Sequence, residues 1–159
     1  MNYWLLKSEG ICYSIDDLKR DKCTSWEGIR NFQARNYMRD QMKVGDLCLF
    51  YHSMSDPTGV YGVAKVVSGP HIDESALDPK DEHYDPKAVQ YQKEGKDPLW
   101  SCVDIAYMRT FNRPVSLETI KKDSELGHML VAKPGQRLSV MPVSKEHFER
   151  VVELSGGTK

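Results

Sequence analysis

Apolar positions along the chain follow two rhythms. Tyr3-Trp4-Leu5-Leu6 and Leu47-Cys48-Leu49-Phe50-Tyr51-His52 are short runs in which nearly every side chain is apolar. Too short for surface helices, they read as strands, the second of them central in its sheet. After the turn Asp56-Pro57-Thr58-Gly59, Val60 to Val67 returns beside that run as a hairpin. Trp100 to Phe111 alternates loosely and predicts another strand; Leu138 to Val143 predicts a closing one that Pro142 ends. Helical spacing appears in between. Ser14 precedes Ile15 and Leu18 and has Asp17 three residues on, a capping-box pattern. Phe32, Arg35, Met38 and Met42 repeat at helical spacing from Asn31 onward, so a helix is predicted over Asn31 to Met42, ended by Gly45-Asp46. Ser116 caps a predicted helix through Lys121, and Ser144 a final one carrying Phe148, Val151 and Val152. From Ser68 to Pro98 the pattern turns polar and acidic, an excursion from the core with a helical turn or two.

Five or more strands interleaved with short helices predict an α+β domain built round a strongly bent or closed sheet. With 159 residues, 40% of them hydrophobic, the chain holds material for one core. A single domain over residues 1–154 is expected, with 155–159 as a frayed tail. No run approaches the roughly 18 apolar residues of a membrane span, and the start lacks a signal-type segment, so a cytoplasmic protein without membrane contact is expected. Cys12, Cys23, Cys48 and Cys102 are widely separated and are expected as reduced, mostly buried thiols, with no metal site. The formal net charge of -1 excludes a protein that coats DNA by bulk electrostatics. Charge is nevertheless uneven. Arg30, Arg35, Arg39 and Lys43 gather in one stretch, and Asp73, Glu74, Asp78, Asp81, Glu82 and Asp85 in another, which predicts a local basic face with the acidic loop elsewhere.

Templates for catalysis fail: no G-x-S-x-G, H-E-x-x-H or Walker loop is present, the five histidines lack metal-ligand spacing, and no cofactor is implied. Gly59-Val60-Tyr61-Gly62 imitates a KH-type loop, but its flanks are strand-like. The informative segment is Trp26-Glu27-Gly28-Ile29-Arg30-Asn31-Phe32-Gln33-Ala34-Arg35-Asn36. Within a few residues it offers a π-face, a glycine allowing close approach, and the donors of Arg30, Asn31 and Arg35, which together suit one splayed-out base. The same residues also read as core aromatics, a helix cap and a solvated face. Lys7 and Ser8 end the first strand, where side chains either line a cavity or lie on plain surface. Tyr51, His52 and Ser53 end another strand, and alternation allows only one of Tyr51 and His52 to face that cavity. Trp100 is either a second aromatic wall or a core anchor.

In order along the chain, these pieces resemble the EVE-domain family. The matching stretches are Tyr3 to Glu9, Ser14 to Leu18, Trp26 to Asn36, Met42 to Asp46, Phe50 to Ser53, Gly59 to Val66, Tyr84 to Pro86, Trp100 to Asp104, Pro114 to Leu117 and Arg137 to Val143. The resemblance implies a PUA-like fold, a small bent β-barrel flanked by helices, related to YTH domains that read methylated adenine in RNA. It further implies Trp26 as a cage wall, Lys7 and Ser8 lining the pocket, Arg30 and Asn31 fixing the base or its phosphate, and Trp100 as a further wall. Two departures stand out: Gly10 where the family usually has proline, which predicts a looser loop, and Met141 where glutamine is common. A long basic N-terminal tail like that of the animal members is missing, which predicts a compact bacterial-type version.

The expected function is a binding module, not an enzyme, that holds a modified base of DNA or RNA, foremost a methylated or hydroxymethylated cytosine, and acts as a monomer. The competing readings are a nucleotide-processing enzyme with His52 as acid or base near Asp104, and a protein-interaction module built on the acidic 73–85 segment.

Overall fold

The computed structural model describes residues 1–156. Its strands and helices follow in the order β1 (Tyr3–Glu9), α1 (Ile15–Asp21), β2 (Cys23–Ser25), α2 (Phe32–Asn36), β3 (Leu47–Ser53), β4 (Gly59–Ile72), α3 (Pro86–Lys93), β5 (Ser101–Ser116), α4 (Leu117–Lys122), β6 (Val140–Val143) and α5 (Lys145–Leu154). The strands form one six-stranded mixed sheet, β2-β5-β4-β3-β1-β6. Short helices flank it, giving the expected PUA-like α+β architecture. No described helix is long and apolar enough to cross a membrane.

The apolar runs have a direct explanation. β1 and β3 lie side by side, parallel, with Leu5 opposite Leu49 and Leu6 opposite Phe50. Alternate residues serve different cores. Trp4, Leu6, Cys48 and Phe50 join Ile15, Leu18 and Met38 on one face. Leu5, Leu49 and Tyr51 join Phe111, Ile120 and Phe148 on the other. A strand buried on both faces has no polar positions to show, which is why the sequence reads as an unbroken run. Each fully buried Leu or Phe contributes about 1.5–3 kcal/mol.

Helix starts match their sequence signals. Ser14 Oγ accepts the Asp17 N–H while the Asp17 carboxylate accepts the Ser14 N–H, at 3.1 and 2.9 Å, a complete capping box. Asn31, Ser116 and Ser144 each cap the helix that follows. Trp4 is anchored similarly: its indole N–H donates to the buried Asp46 carboxylate at 2.9 Å, and Asp46 follows the positive-φ turn at Gly45.

Several elements differ from expectation. The helix predicted over Asn31 to Met42 is α-helical only to Asn36, then widens into a π-helical turn, Tyr37–Gln41, closed by the Met42 N–H on the Tyr37 carbonyl at 2.9 Å. Phe32, at the start of α2, points outward, 54% exposed, while Met38 and Met42 are buried. β2 has no counterpart in the sequence reading, being three residues long. β4 extends to Ile72, so Ser68 to Ile72 belongs to the sheet and not to the polar excursion. Cys48 and Cys102 are buried, but Cys12 and Cys23 are exposed, so only half the thiols are shielded. Ser155, placed in the expected tail, is fully buried; residues 157–159 of that tail lie outside the described residues. At Gly10 a Cβ would meet Ser55 Oγ and the His52 ring, so the position also suits glycine sterically.

Candidate functional site

β1, β2 and the segment after β2 converge on a cleft of about 760 Å3, within the size range of small-molecule sites. Its walls include Lys7 and Ser8 from the end of β1, Ser25 and Trp26 leaving β2, Glu27, Gly28 and Ile29, and His83 from the acidic excursion. β2 earns its place here: Ser25 pairs with Asp104 of β5, and the Trp26 N–H donates to the Val103 carbonyl at 2.8 Å, fixing where the indole leaves the sheet.

Trp26 is 8% exposed and packs edge-on against Phe50, with ring centroids 5.5 Å apart. Its Nε1–H is buried and has no hydrogen-bond acceptor among the described residues. The other two tryptophans are tied down: Trp4 donates to Asp46 and Trp100 to Asp85, at 2.9 and 2.8 Å. A buried indole N–H normally finds a partner, so the exception on the cleft wall is informative.

The cleft floor is held by one buried carboxylate. Asp73 Oδ2 accepts the Gly28 N–H and an Arg30 Nη1–H, each at 2.9 Å, while Oδ1 accepts from the backbone and hydroxyl of Ser75. Burial alone would raise the Asp73 pKa; the bonds from Ser75, Arg30 and Gly28 outweigh it and hold the carboxyl below its usual range. Gly28 has φ +83, and a Cβ there would press on the His83 ring at 2.8 Å. Glycine is required twice over, for the backbone turn and for the approach of His83. Beside it, burial and the charge of Asp73 raise the Glu27 carboxyl, while burial lowers Lys7.

Lys7, Ser8 and Trp26 are thus brought together, and the remaining sequence-selected residues are not among the cleft lining. Arg30 is saturated by Asp73, Ser75 Oγ and two bonds to the His83 carbonyl. Asn31 Oδ1 caps α2 through the Ala34 N–H at 3.0 Å. Arg35 donates to the Leu99 carbonyl at 2.8 Å and lies over the Phe32 ring. Trp100 stacks on Phe32 at 4.8 Å beneath Arg30 and Arg35, the anchor of a satellite core with Ala76, Ala88 and Leu99. Tyr51 lies in the opposite core, where burial pushes its phenol up to about 12. His52 Nε2 accepts the Ile15 N–H at 3.0 Å and the ring stacks on Tyr61 at 3.9 Å. Ser53 Oγ donates to the Ser8 carbonyl at 3.3 Å.

The charge layout also departs from expectation. The acidic segment is no separate loop: Asp73 holds Arg30, Asp81 and Glu82 line the cleft with His83, and Asp85 holds Trp100. Sequence reasoning missed His83, Ser25 and Tyr13 as lining residues, because only the return of distant segments brings them in. Asp104 takes the Ser25 hydroxyl at 2.6 Å and His71 Nε2 at 2.8 Å, and these, not His52, are its partners. The serine therefore bonds the carboxylate directly and not an imidazole, so the Ser-His-Asp order of a hydrolase triad is not reproduced. Among the described residues no cluster of three or more His, Cys, Asp or Glu side chains is arranged for a metal.

Comparison with known proteins places the site in context. Residues 2–154 match the sequence profile of the EVE domain. Thymocyte nuclear protein 1 of Gallus gallus is 37% identical over 171 residues, covering 96% of this chain and 68% of that protein. The crystal structure of human THYN1 protein in complex with 5-methylcytosine-containing DNA superposes with TM-score 0.86 at 34% identity, covering 98% of both chains. The fold alone is shared with the Mmi1 YTH domain solved with RNA, at TM-score 0.55 and 13% identity, over 98% of this chain and 77% of that one.

Proposed function

We propose, starting from the fact that the chain belongs to the EVE-domain family, that it is a nucleic-acid-binding module that takes one modified nucleobase into the Trp26 cleft. The observation that carries this reading is the Trp26 indole, which is buried on the cleft wall and is the one tryptophan without an acceptor. Its π-face suits a flat heteroaromatic ring. Glu27 beside it supplies a carboxyl that accepts from an exocyclic amino group, as carboxylates do from cytosine N4. The base we propose is a methylated or hydroxymethylated cytosine, and the human relative solved with 5-methylcytosine-containing DNA supports the methylated one. If the target lies in a duplex, extruding the base costs a few kcal/mol, which stacking and edge contacts offset. On this reading the site binds without turnover, and in keeping with it Ser25 bonds Asp104 directly instead of forming the Ser-His-Asp order of a hydrolase triad.

The test is binding to matched short oligonucleotides with plain, methylated and hydroxymethylated cytosine. Wild type should prefer one modified base by about tenfold or more, equivalent to about 1.4 kcal/mol. Trp26→Ala should remove the preference while leaving weak binding to any strand. Equal losses for modified and plain DNA in that variant would sink the cleft assignment.

A further inference from the structure

The cleft raises an electrostatic problem. Glu9, Glu27, Asp81 and Glu82 line it against only Lys7 and His83. A base can enter such a space, but the phosphodiester attached to it meets like charge on that rim. The strand must leave by a side without carboxylates.

One side has that character. A neighbouring groove of about 420 Å3 is lined by Asn31, Gln33, Tyr37, Gln136, Arg137 and Leu138 among others, with no acidic residue in its lining. It shares a rim with the cleft: Ile29 lines the cleft and Asn31 the groove, and Ser139 the cleft and Leu138 the groove. Lys7 joins the two, its Nζ donating to the Gln136 carbonyl at 3.2 Å. The groove holds the uncommitted arginine of this region. Arg30 is bound to Asp73 and Arg39 to Asp40, and Arg35 to Leu99 and Asn36. Arg137 is exposed and makes no hydrogen bond or ion pair among the described residues. Beside it, Asn31 spends its oxygen on the α2 cap, which leaves its Nδ2 hydrogens for an incoming acceptor.

We propose that the groove beside Arg137 seats a phosphodiester of the bound strand, next to the nucleotide whose base occupies the cleft. Arg137 pairs with the phosphate and the Asn31 amide donates to it. Which phosphate this is rests on the base-binding reading of the cleft; that the groove takes a phosphate does not.

The experiment compares wild type, Arg137→Gln and Lys121→Gln on a modified oligonucleotide, its plain counterpart and the free modified nucleoside, over a salt series. Lys121 lines a different concavity, beside α4, and its variant controls for net charge. Arg137→Gln should weaken both oligonucleotides alike, about tenfold at low salt, and flatten the slope of log K against log salt by about 0.7–0.9. The nucleoside, which has no phosphate, should bind wild type and Arg137→Gln equally, and Lys121→Gln should behave as wild type throughout. Wild-type affinity and slope in Arg137→Gln overturn the proposal, as does an equal loss in both variants or a loss of nucleoside binding. Should wild type show no preference for a modified base while Arg137→Gln still loses affinity and slope, the base-binding reading fails and the phosphate seat stands.

Discussion

At the scale of the residue, two histidines give the molecule opposite responses to pH. His52 is buried, and its Nε2 accepts the Ile15 N–H, so only the neutral ring fits. Burial lowers its pKa despite the raising influence of Asp16 and Asp17. The unfolded chain therefore takes up a proton that the folded one refuses, and the stability contributed by His52 is lost as pH falls below about 6.5. For His71 the Asp104 bond raises the pKa, so its contribution is complete below about 6.5 and is lost as pH rises through the elevated folded value. Stability should peak near about pH 6.5, read as denaturant midpoints, with His52→Asn flattening the acid limb and His71→Asn the alkaline one. A midpoint that climbs steadily across that window would contradict the assignment. Single residues were legible where chemistry is local: the cap at Ser14 and the place of Trp26 on the cleft wall. Arg30, Arg35 and Trp100 were not, because their partners Asp73, Leu99 and Asp85 lie tens of residues away.

At the scale of the element, the caps and the buried runs were readable because each is a short-range pattern with one physical cause. The capping box at Ser14 does more than start a helix. It fixes the α1 backbone whose Ile15 N–H holds His52 and whose Ile15 and Leu18 side chains enter the core under the cleft. Ser14→Ala should cost about 1 kcal/mol, with faster amide exchange through α1 and little change in β3; global loss of fold would refute so local a role. What stayed hidden was short or irregular. β2 is too brief for periodicity, and the π-helical turn of Tyr37–Gln41 mimics a continued helix, while Phe32 before it stacks on Trp100.

Across the whole molecule, one sheet separates two cores, and only one of them supports the cleft. Phe50 touches Trp26 on the first face, while its neighbour Leu49 packs on the second. Phe50→Ala should cost about 3–5 kcal/mol and Leu49→Ala about 2–5 kcal/mol. Well below both melting temperatures, only Phe50→Ala should also weaken oligonucleotide binding; matching losses would show that the cleft depends on general stability and not on that contact. The order of motifs made the fold legible at this scale. The charge layout was not, since the sequence shows two separate blocks and only folding brings the acidic one against Arg30.

The parallel pairing of β1 and β3 has a consequence for motion. Residues 10–46 form the crossover between these two strands, which pair over seven residues, and Trp26, Glu27 and Gly28 ride within it. The crossover is fastened along its length, since β2 pairs with β5 and Ile15, Leu18, Met38 and Met42 enter the first core, so it cannot lift off as a unit. Near the cleft the Trp26–Gly28 segment is held by hydrogen bonds to Val103 and Asp73 and by the packing of Trp26 on Phe50, so amide exchange there should precede exchange at Leu5 and Leu49. On the proposed reading, a base would enter by loosening that short segment alone, at less than the free energy of unfolding the domain.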